Sequence, residues 1–163
     1  MDPVWSGTVA GVTHMAQNAN RLTSFLLVGM QFGCLGLLLV TGPLLPAGSA
    51  GRALAALGLG LAGWAFATMP LRTLSAFPDV RAGASLVTEG PYRYIRHPMY
   101  TALLLLTLGL VLGHASLLRL IVWLVLALNL WIKLTYEEQL LARRFPDYPA
   151  YRAGTKRLIP FLL

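Results

Sequence analysis

Two polar blocks break an otherwise apolar chain. The first runs Tyr92-Arg93-Tyr94-Ile95-Arg96-His97-Pro98-Met99-Tyr100. The second starts at Tyr136-Glu137-Glu138 and continues through Tyr148, Tyr151 and Arg157. Gly90-Pro91 signals a turn ahead of the first block. Pro98 suits the first position of a helix, where its missing N–H costs nothing. Arg96 and His97 therefore stand just before a helix N-terminus, where free backbone N–H groups and the helix dipole favour an anion. A basic loop touching lipid headgroups would use the same residues.

Cations, carboxylates and aromatics together suit a zwitterionic ligand with a flat base. S-adenosylmethionine is one such ligand. Its carboxylate wants Arg or His, its ammonium and ribose hydroxyls want Glu, and its adenine and sulfonium want apolar or aromatic walls. A lipid headgroup or a nicotinamide nucleotide can use the same groups, so this chemistry leaves the ligand open.

The elements that must position these blocks are membrane helices. The 163-residue chain is 56% hydrophobic and 12% charged, with mean hydropathy +0.65. A soluble domain carries about 25% charged residues. Several apolar runs approach the length that crosses a bilayer. The net charge of +7 is scattered between these runs, which reads as orienting charge and not as a nucleic-acid surface. The lone cysteine, Cys34, can form no internal disulfide and fits helix packing. Eleven Arg against two Lys, with abundant Ala, Gly and Leu, hint at a GC-rich bacterial source. No cleavable signal peptide is evident at the start.

Four spans are predicted: Leu22–Thr41, Ala53–Met69, Pro98–Gly113 and Leu117–Leu134. Ahead of them, Val4, Trp5, Val9, Val12 and Met15 can form one face of an interfacial helix, with His14 at its surface. Gly29 and Gly33 form a Gly-x-x-x-Gly pair that permits close helix approach, within the chain or in a homo-oligomer. Gly58-Leu59-Gly60-Leu61-Ala62-Gly63 formally matches a dinucleotide-binding pattern. It lies inside an apolar helix with no preceding strand, so it reads as helix packing. Gly109 and Gly113 repeat the small-residue spacing. The turn at Gly113-His114-Ala115-Ser116 makes spans three and four an antiparallel hairpin, with Ser116 as N-cap and His114 facing solvent. Arg119 is expected to snorkel to the outer interface.

Asn129, Lys133 and Glu137 share one helical face. The helix is expected to leave the membrane and run on to about Phe145, where Pro146 stops it. The loop Leu71–His97 is long, and loops of that length are usually functional. It holds four Arg, and the region from Lys133 onward holds six Lys and Arg. Arg52 and Arg119 stand alone on the other side. That asymmetry places the long loop, the tail and both termini in the cytoplasm. Residues 1–85 then read as an N-terminal two-span region and 86–163 as the catalytic region.

The pattern Leu86-Val87-Thr88-Glu89-Gly90-Pro91-Tyr92, Arg96-His97-Pro98-Met99-Tyr100, Glu137-Glu138-x-x-Leu141, Phe145, Tyr148, Tyr151 and Arg157-Leu158-Ile159-Pro160 resembles the isoprenylcysteine carboxyl methyltransferase family. Membrane phospholipid methyltransferases and sterol reductases resemble the same pattern. The resemblance covers nearly half the chain. It implies an all-α integral membrane bundle, and an S-adenosylmethionine-dependent enzyme whose cofactor lies between the membrane hairpin and a cytosolic helical tail. It also implies a lipophilic or prenylated acceptor; with the composition and the charge asymmetry, the expected location is a bacterial inner membrane with the site facing the cytoplasm. Compared with longer eukaryotic members, this chain lacks the extra N-terminal membrane region.

Within that frame Arg96 and Glu138 are the expected catalytic pair, Arg96 holding an acceptor carboxylate close to the methyl group. Glu138 shares a face with Trp131, Leu134 and Thr135 that should turn inward, and it can deprotonate an amine or thiol acceptor. Glu137, four residues after Lys133, reads first as half of a helix-surface ion pair. His97, Tyr100, Glu137, Tyr92, Tyr148 and Arg157 are the expected cofactor contacts, and no metal is expected. Tyr148 and Tyr151 fit interfacial anchors equally well. The alternatives are a phospholipid or other small-lipid methyltransferase, an NADPH-dependent reductase, and a non-catalytic lipid-binding protein.

Overall fold

The computed structural model describes residues 6–70 and 85–159, with side chains from residue 22 onward. Five α-helices follow in order: α1 Ser6–Val40, α2 Ser49–Thr68, α3 Pro98–Gly113, α4 Leu117–Arg144 and α5 Tyr148–Gly154. A 3-10 turn, Gly90–Arg93, precedes α3. Leu22–Val40, Ser49–Thr68 and Leu117–Arg144 are long and apolar enough to cross a membrane, and α3 is a shorter apolar helix. The architecture is the expected all-helical membrane bundle.

Met1–Trp5 lie outside the described residues, as do the side chains of Val9, Val12, His14 and Met15. The backbone nevertheless corrects one boundary. Residues 6 to 40 form a single 35-residue helix, so no break separates an interfacial segment from the first span. Arg72 and Arg81 also lie outside the described residues.

α2 packs most extensively on α3, and α1 on α4. α3 and α4 are joined by the expected tight turn, in which Ser116 Oγ accepts from Arg119 N at 3.2 Å, and His114 is exposed. They are nevertheless not each other's main partner. The reason lies in the small residues. A Cβ added to Gly58 would sit 2.7 Å from both the Ala102 carbonyl oxygen and the Leu106 nitrogen. One added to Gly109 would sit 2.6 Å from the Gly51 carbonyl oxygen. These glycines let α2 and α3 touch backbone to backbone. Gly60, Gly63, Gly29 and Gly33 have no such neighbour within 4 Å. The expected packing role therefore holds for Gly58 alone in its motif, and the Gly29/Gly33 pair meets no helix among the described residues.

The apolar core joins α1, α3 and α4 through Cys34, Leu38, Val111, Val122, Leu126 and Leu130. Arg119 corrects a second expectation. It is 1% exposed and does not snorkel. Its Nη1 donates to the Leu38 carbonyl at 2.9 Å and to Thr41 Oγ1 at 3.3 Å. Its Nη2 donates to the Leu110 carbonyl at 2.9 Å. Both carbonyls belong to last turns of helices, where no intrahelical N–H is available. The guanidinium thus caps the C-termini of α1 and α3 together.

Candidate active site

The site forms because the tail folds back along the first polar block. Ile95 and Lys156 form a parallel bridge. Arg96 N donates to the Lys156 carbonyl at 2.7 Å, His97 N to the Arg157 carbonyl at 3.1 Å, and Lys156 N to the Tyr94 carbonyl at 3.2 Å. Thr101 Oγ1 donates to the Leu158 carbonyl at 2.7 Å. Tyr151 Oη donates to the Tyr92 carbonyl at 2.7 Å. Gly90 adopts φ +56 and packs against the Thr68 side chain, so the turn entering the site needs a residue without Cβ. His97 is the N-cap of α3 and Pro98 its first residue, as the sequence predicts.

Glu138, 3% exposed, stands at the centre. Its Oε1 accepts from Arg96 Nε at 2.8 Å and lies 3.6 Å from His97 Nε2. Its Oε2 lies 3.2 Å from Arg157 Nη2. Glu137 Oε1 accepts from Tyr100 Oη, and its Oε2 lies 3.6 Å from His97 Nδ1. The His97 and Tyr100 rings stack, with centroids 5.5 Å apart and planes within 4°. The two glutamates therefore grip opposite edges of one imidazole.

Arg96 is more engaged than the sequence suggests. Besides Glu138, its Nη1 donates to the carbonyls of Arg152 at 3.2 Å and of Thr155. It ties the tail to α4 and fixes the Glu138 carboxylate. Tyr92 is 5% exposed and Tyr148 1%, and burial raises both phenols well above their ordinary range. Burial pushes Tyr151 up to about 12, against the opposing pull of Arg96. All three are neutral phenols at neutral pH. Tyr148 is a buried wall and not an interfacial anchor.

Lys133 corrects a third expectation. It is 1% exposed, so Glu137 is not half of a surface pair. Lys133 Nζ donates to Gln31 Oε1 of α1 at 2.8 Å and lies 5.2 Å from the Tyr100 ring centroid. One turn earlier, Asn129 Nδ2 donates to the Leu27 carbonyl at 3.0 Å. A polar seam thus runs from α1 through α4 into the site. Sequence reading found the Asn129–Lys133–Glu137 face but not Gln31. A lone Gln in an apolar span was the available signal, because an amide there needs a partner.

Five buried side-chain atoms have no hydrogen-bond partner among the described residues: His97 Nε2, Glu138 Oε2, Tyr136 Oη, Tyr148 Oη and, at the other end of the bundle, Arg119 Nε. Glu138 Oε2 does face Arg157 Nη2 in an ion pair at 3.2 Å. Buried polar atoms are ordinarily satisfied, so such a cluster points to a bound group. The His97 imidazole, the Glu138 carboxylate and the Tyr148 phenol lie together there and fit an amino-acid cation and sugar hydroxyls. An open groove of about 410 Å³ on the α4–α5 side is lined by Ala142, Tyr148, Pro149, Arg152 and Ala153, and shares only Tyr148 with the buried cluster.

The chain belongs to the phospholipid methyltransferase family, whose pattern matches residues 47–148. It is thus a member of a membrane methyltransferase superfamily. It is 34% identical over 107 residues to the cobalt-zinc-cadmium resistance protein CzcN of Cupriavidus metallidurans, covering 65% of this chain and 50% of that one. It is 31% identical over 109 residues to the nickel-cobalt-cadmium resistance protein NccN of Alcaligenes xylosoxydans xylosoxydans, covering 66% and 51%. The chain spans about half the length of these curated relatives.

Proposed function

We propose that the protein transfers a methyl group from S-adenosylmethionine to a lipophilic acceptor, at the cytoplasmic face of a bacterial inner membrane. The supporting observation is the buried Arg96/His97–Glu137/Glu138 cluster with its unpartnered polar atoms. S-adenosylmethionine supplies an electrophilic methyl on a sulfonium; its C–S bond breaks as the acceptor–carbon bond forms, leaving a neutral thioether. Glu138 is the group whose charge meets the cofactor's cation. Arg96 acts as the positioning residue that holds Glu138 and the tail. His97, Tyr92 and Tyr148 line the cofactor, and Tyr100 with Glu137 sets the imidazole. The apolar bundle supplies alignment and excludes water.

The family favours a lipid-borne acceptor of the phospholipid type over a prenylated cysteine carboxylate. An amine acceptor loses one proton during transfer, and Glu137 or Glu138 can take it. The names of the relatives point to metal resistance, and loss of cobalt, zinc, nickel or cadmium tolerance is the phenotype to score when the gene is removed.

Calorimetry in detergent tests the cofactor. S-adenosylhomocysteine should bind and NADPH should give no heat; the reverse preference would move the protein to the reductase reading. Radiolabelled methyl transfer into phospholipid and into a prenylcysteine then separates the two acceptors.

A further inference from the structure

Arg157 stands where the buried site meets the outward face of α4. Its Nη2 is 3.2 Å from Glu138 Oε2, and its side chain is 25% exposed against 4% for Glu138. Its guanidinium Cζ lies 5.1 Å from the Trp131 ring centroid. Trp131 ends a stripe on α4 in which Leu124 is 53%, Leu128 60% and Trp131 itself 37% exposed. In a membrane helix that stripe faces lipid. Trp is favoured where hydrocarbon gives way to headgroups. One side of Arg157 therefore rests on the central carboxylate, and the other on a half-exposed aromatic at the end of the apolar stripe.

The arrangement allows an exchange. The Arg157 carbonyl is pinned by His97 N at 3.1 Å, so the guanidinium can swing while the tail stays docked. If it leaves Glu138, the carboxylate keeps Arg96 at 2.8 Å and is not stranded. A guanidinium stacked on an indole still presents N–H donors in a planar fork, which matches phosphate or carboxylate.

We propose that Trp131 and Arg157 form the membrane-side docking post for the acceptor. The post takes the anionic headgroup of a bilayer-borne amphiphile, and seating that headgroup draws Arg157 off Glu138. The identity of the docked molecule as acceptor rests on the methyltransferase reading; the docking does not. Charge complementarity and the lipid-facing stripe single out a lipid as the occupant.

The test uses full-length protein with Trp131 as its sole tryptophan, Trp5, Trp64 and Trp123 being replaced by Phe. It is placed in phosphatidylcholine nanodiscs doped with brominated-chain phosphatidic acid, or with brominated-chain phosphatidylcholine at the same mole fraction. The anionic lipid should be enriched about fivefold beside Trp131, read as stronger quenching. Arg157→Lys should keep the preference and Arg157→Gln should lose it. Equal quenching by both lipids, or a preference surviving Arg157→Gln, overturns the proposal. Should the triple replacement not fold, native mass spectrometry of retained phosphatidic acid on the natural protein and on Arg157→Gln reads the same preference. Calorimetry with S-adenosylhomocysteine keeps the two readings apart. No binding to the parent protein defeats the methyltransferase reading and leaves the docking result standing. Lost affinity in Arg157→Gln with unchanged quenching assigns Arg157 to the cofactor and overturns the docking post.

Discussion

Two arginines are buried at opposite ends of the bundle, and their partners differ in kind. Arg119 is held by the Leu38 and Leu110 carbonyls and by Thr41. Arg96 is held by the Glu138 carboxylate and by carbonyls of the tail. Around Arg119, helix ends that would otherwise lack partners are satisfied. Around Arg96, the neighbouring His97 Nε2 and Tyr148 Oη have no hydrogen-bond partner among the described residues and Glu138 Oε2 has an ion pair to Arg157, whereas at the other end Arg119 leaves only its own Nε over. A buried cation matched by backbone fastens helices. A buried cation beside unsatisfied, exchangeable side chains prepares a place for a ligand.

The sharpest way to break this contrast is to remove the charge at each end. Glu138→Gln should lower methyl transfer on the order of a hundredfold, the scale of losing one aligned electrostatic contact, while the protein elutes and melts normally. Near-normal turnover would leave the inner cluster as a second fastening.

Arg119→Met should do the opposite. It leaves two helix-end carbonyls unpaired, a cost of about 2–4 kcal/mol from net contributions of charged hydrogen bonds in a membrane setting. The thermal midpoint in detergent should fall, with turnover per folded molecule retained. Unchanged melting together with lost turnover would reverse the assignment of the two ends.

Tyr100→Phe sharpens the comparison within the inner cluster. It deletes only the hydroxyl that donates to Glu137 and keeps the ring beneath Lys133 and beside His97. The expected loss is about 1 kcal/mol, a five- to tenfold weakening of S-adenosylhomocysteine affinity seen by calorimetry. An effect as large as that of Glu138→Gln would make Glu137 the central carboxylate.

How much of this was legible varies by element. The start and end of α3 were readable because Pro98 can only open a helix and Gly113 closes it. The membrane class followed from apolar length, and the methyltransferase superfamily from two ordered motifs. The seams were not readable. Gly29-x-x-x-Gly33 and Gly109-x-x-x-Gly113 look alike in sequence, yet among the described residues only the second pair meets close neighbours, Gly109 against Gly51 and Ala55 and Gly113 against Pro46 and Ala47.

The sequence by itself determined the helical spans and the turn that brings Arg96 and His97 to a helix N-terminus; it placed Glu138 and Leu134 inward, but Trp131, expected on the same inward face, is 37% exposed. Each depends on neighbours within a few turns, and local sterics, helical periodicity and hydropathy decide them. Tertiary structure alone decided where Arg119 and Lys133 point, since their partners Leu38 and Gln31 lie 81 and 102 residues away. It also decided that the tail closes over the first polar block. A long basic side chain chooses between water and a buried acceptor according to which helix stands beside it, and helix adjacency is set by packing that no local pattern encodes.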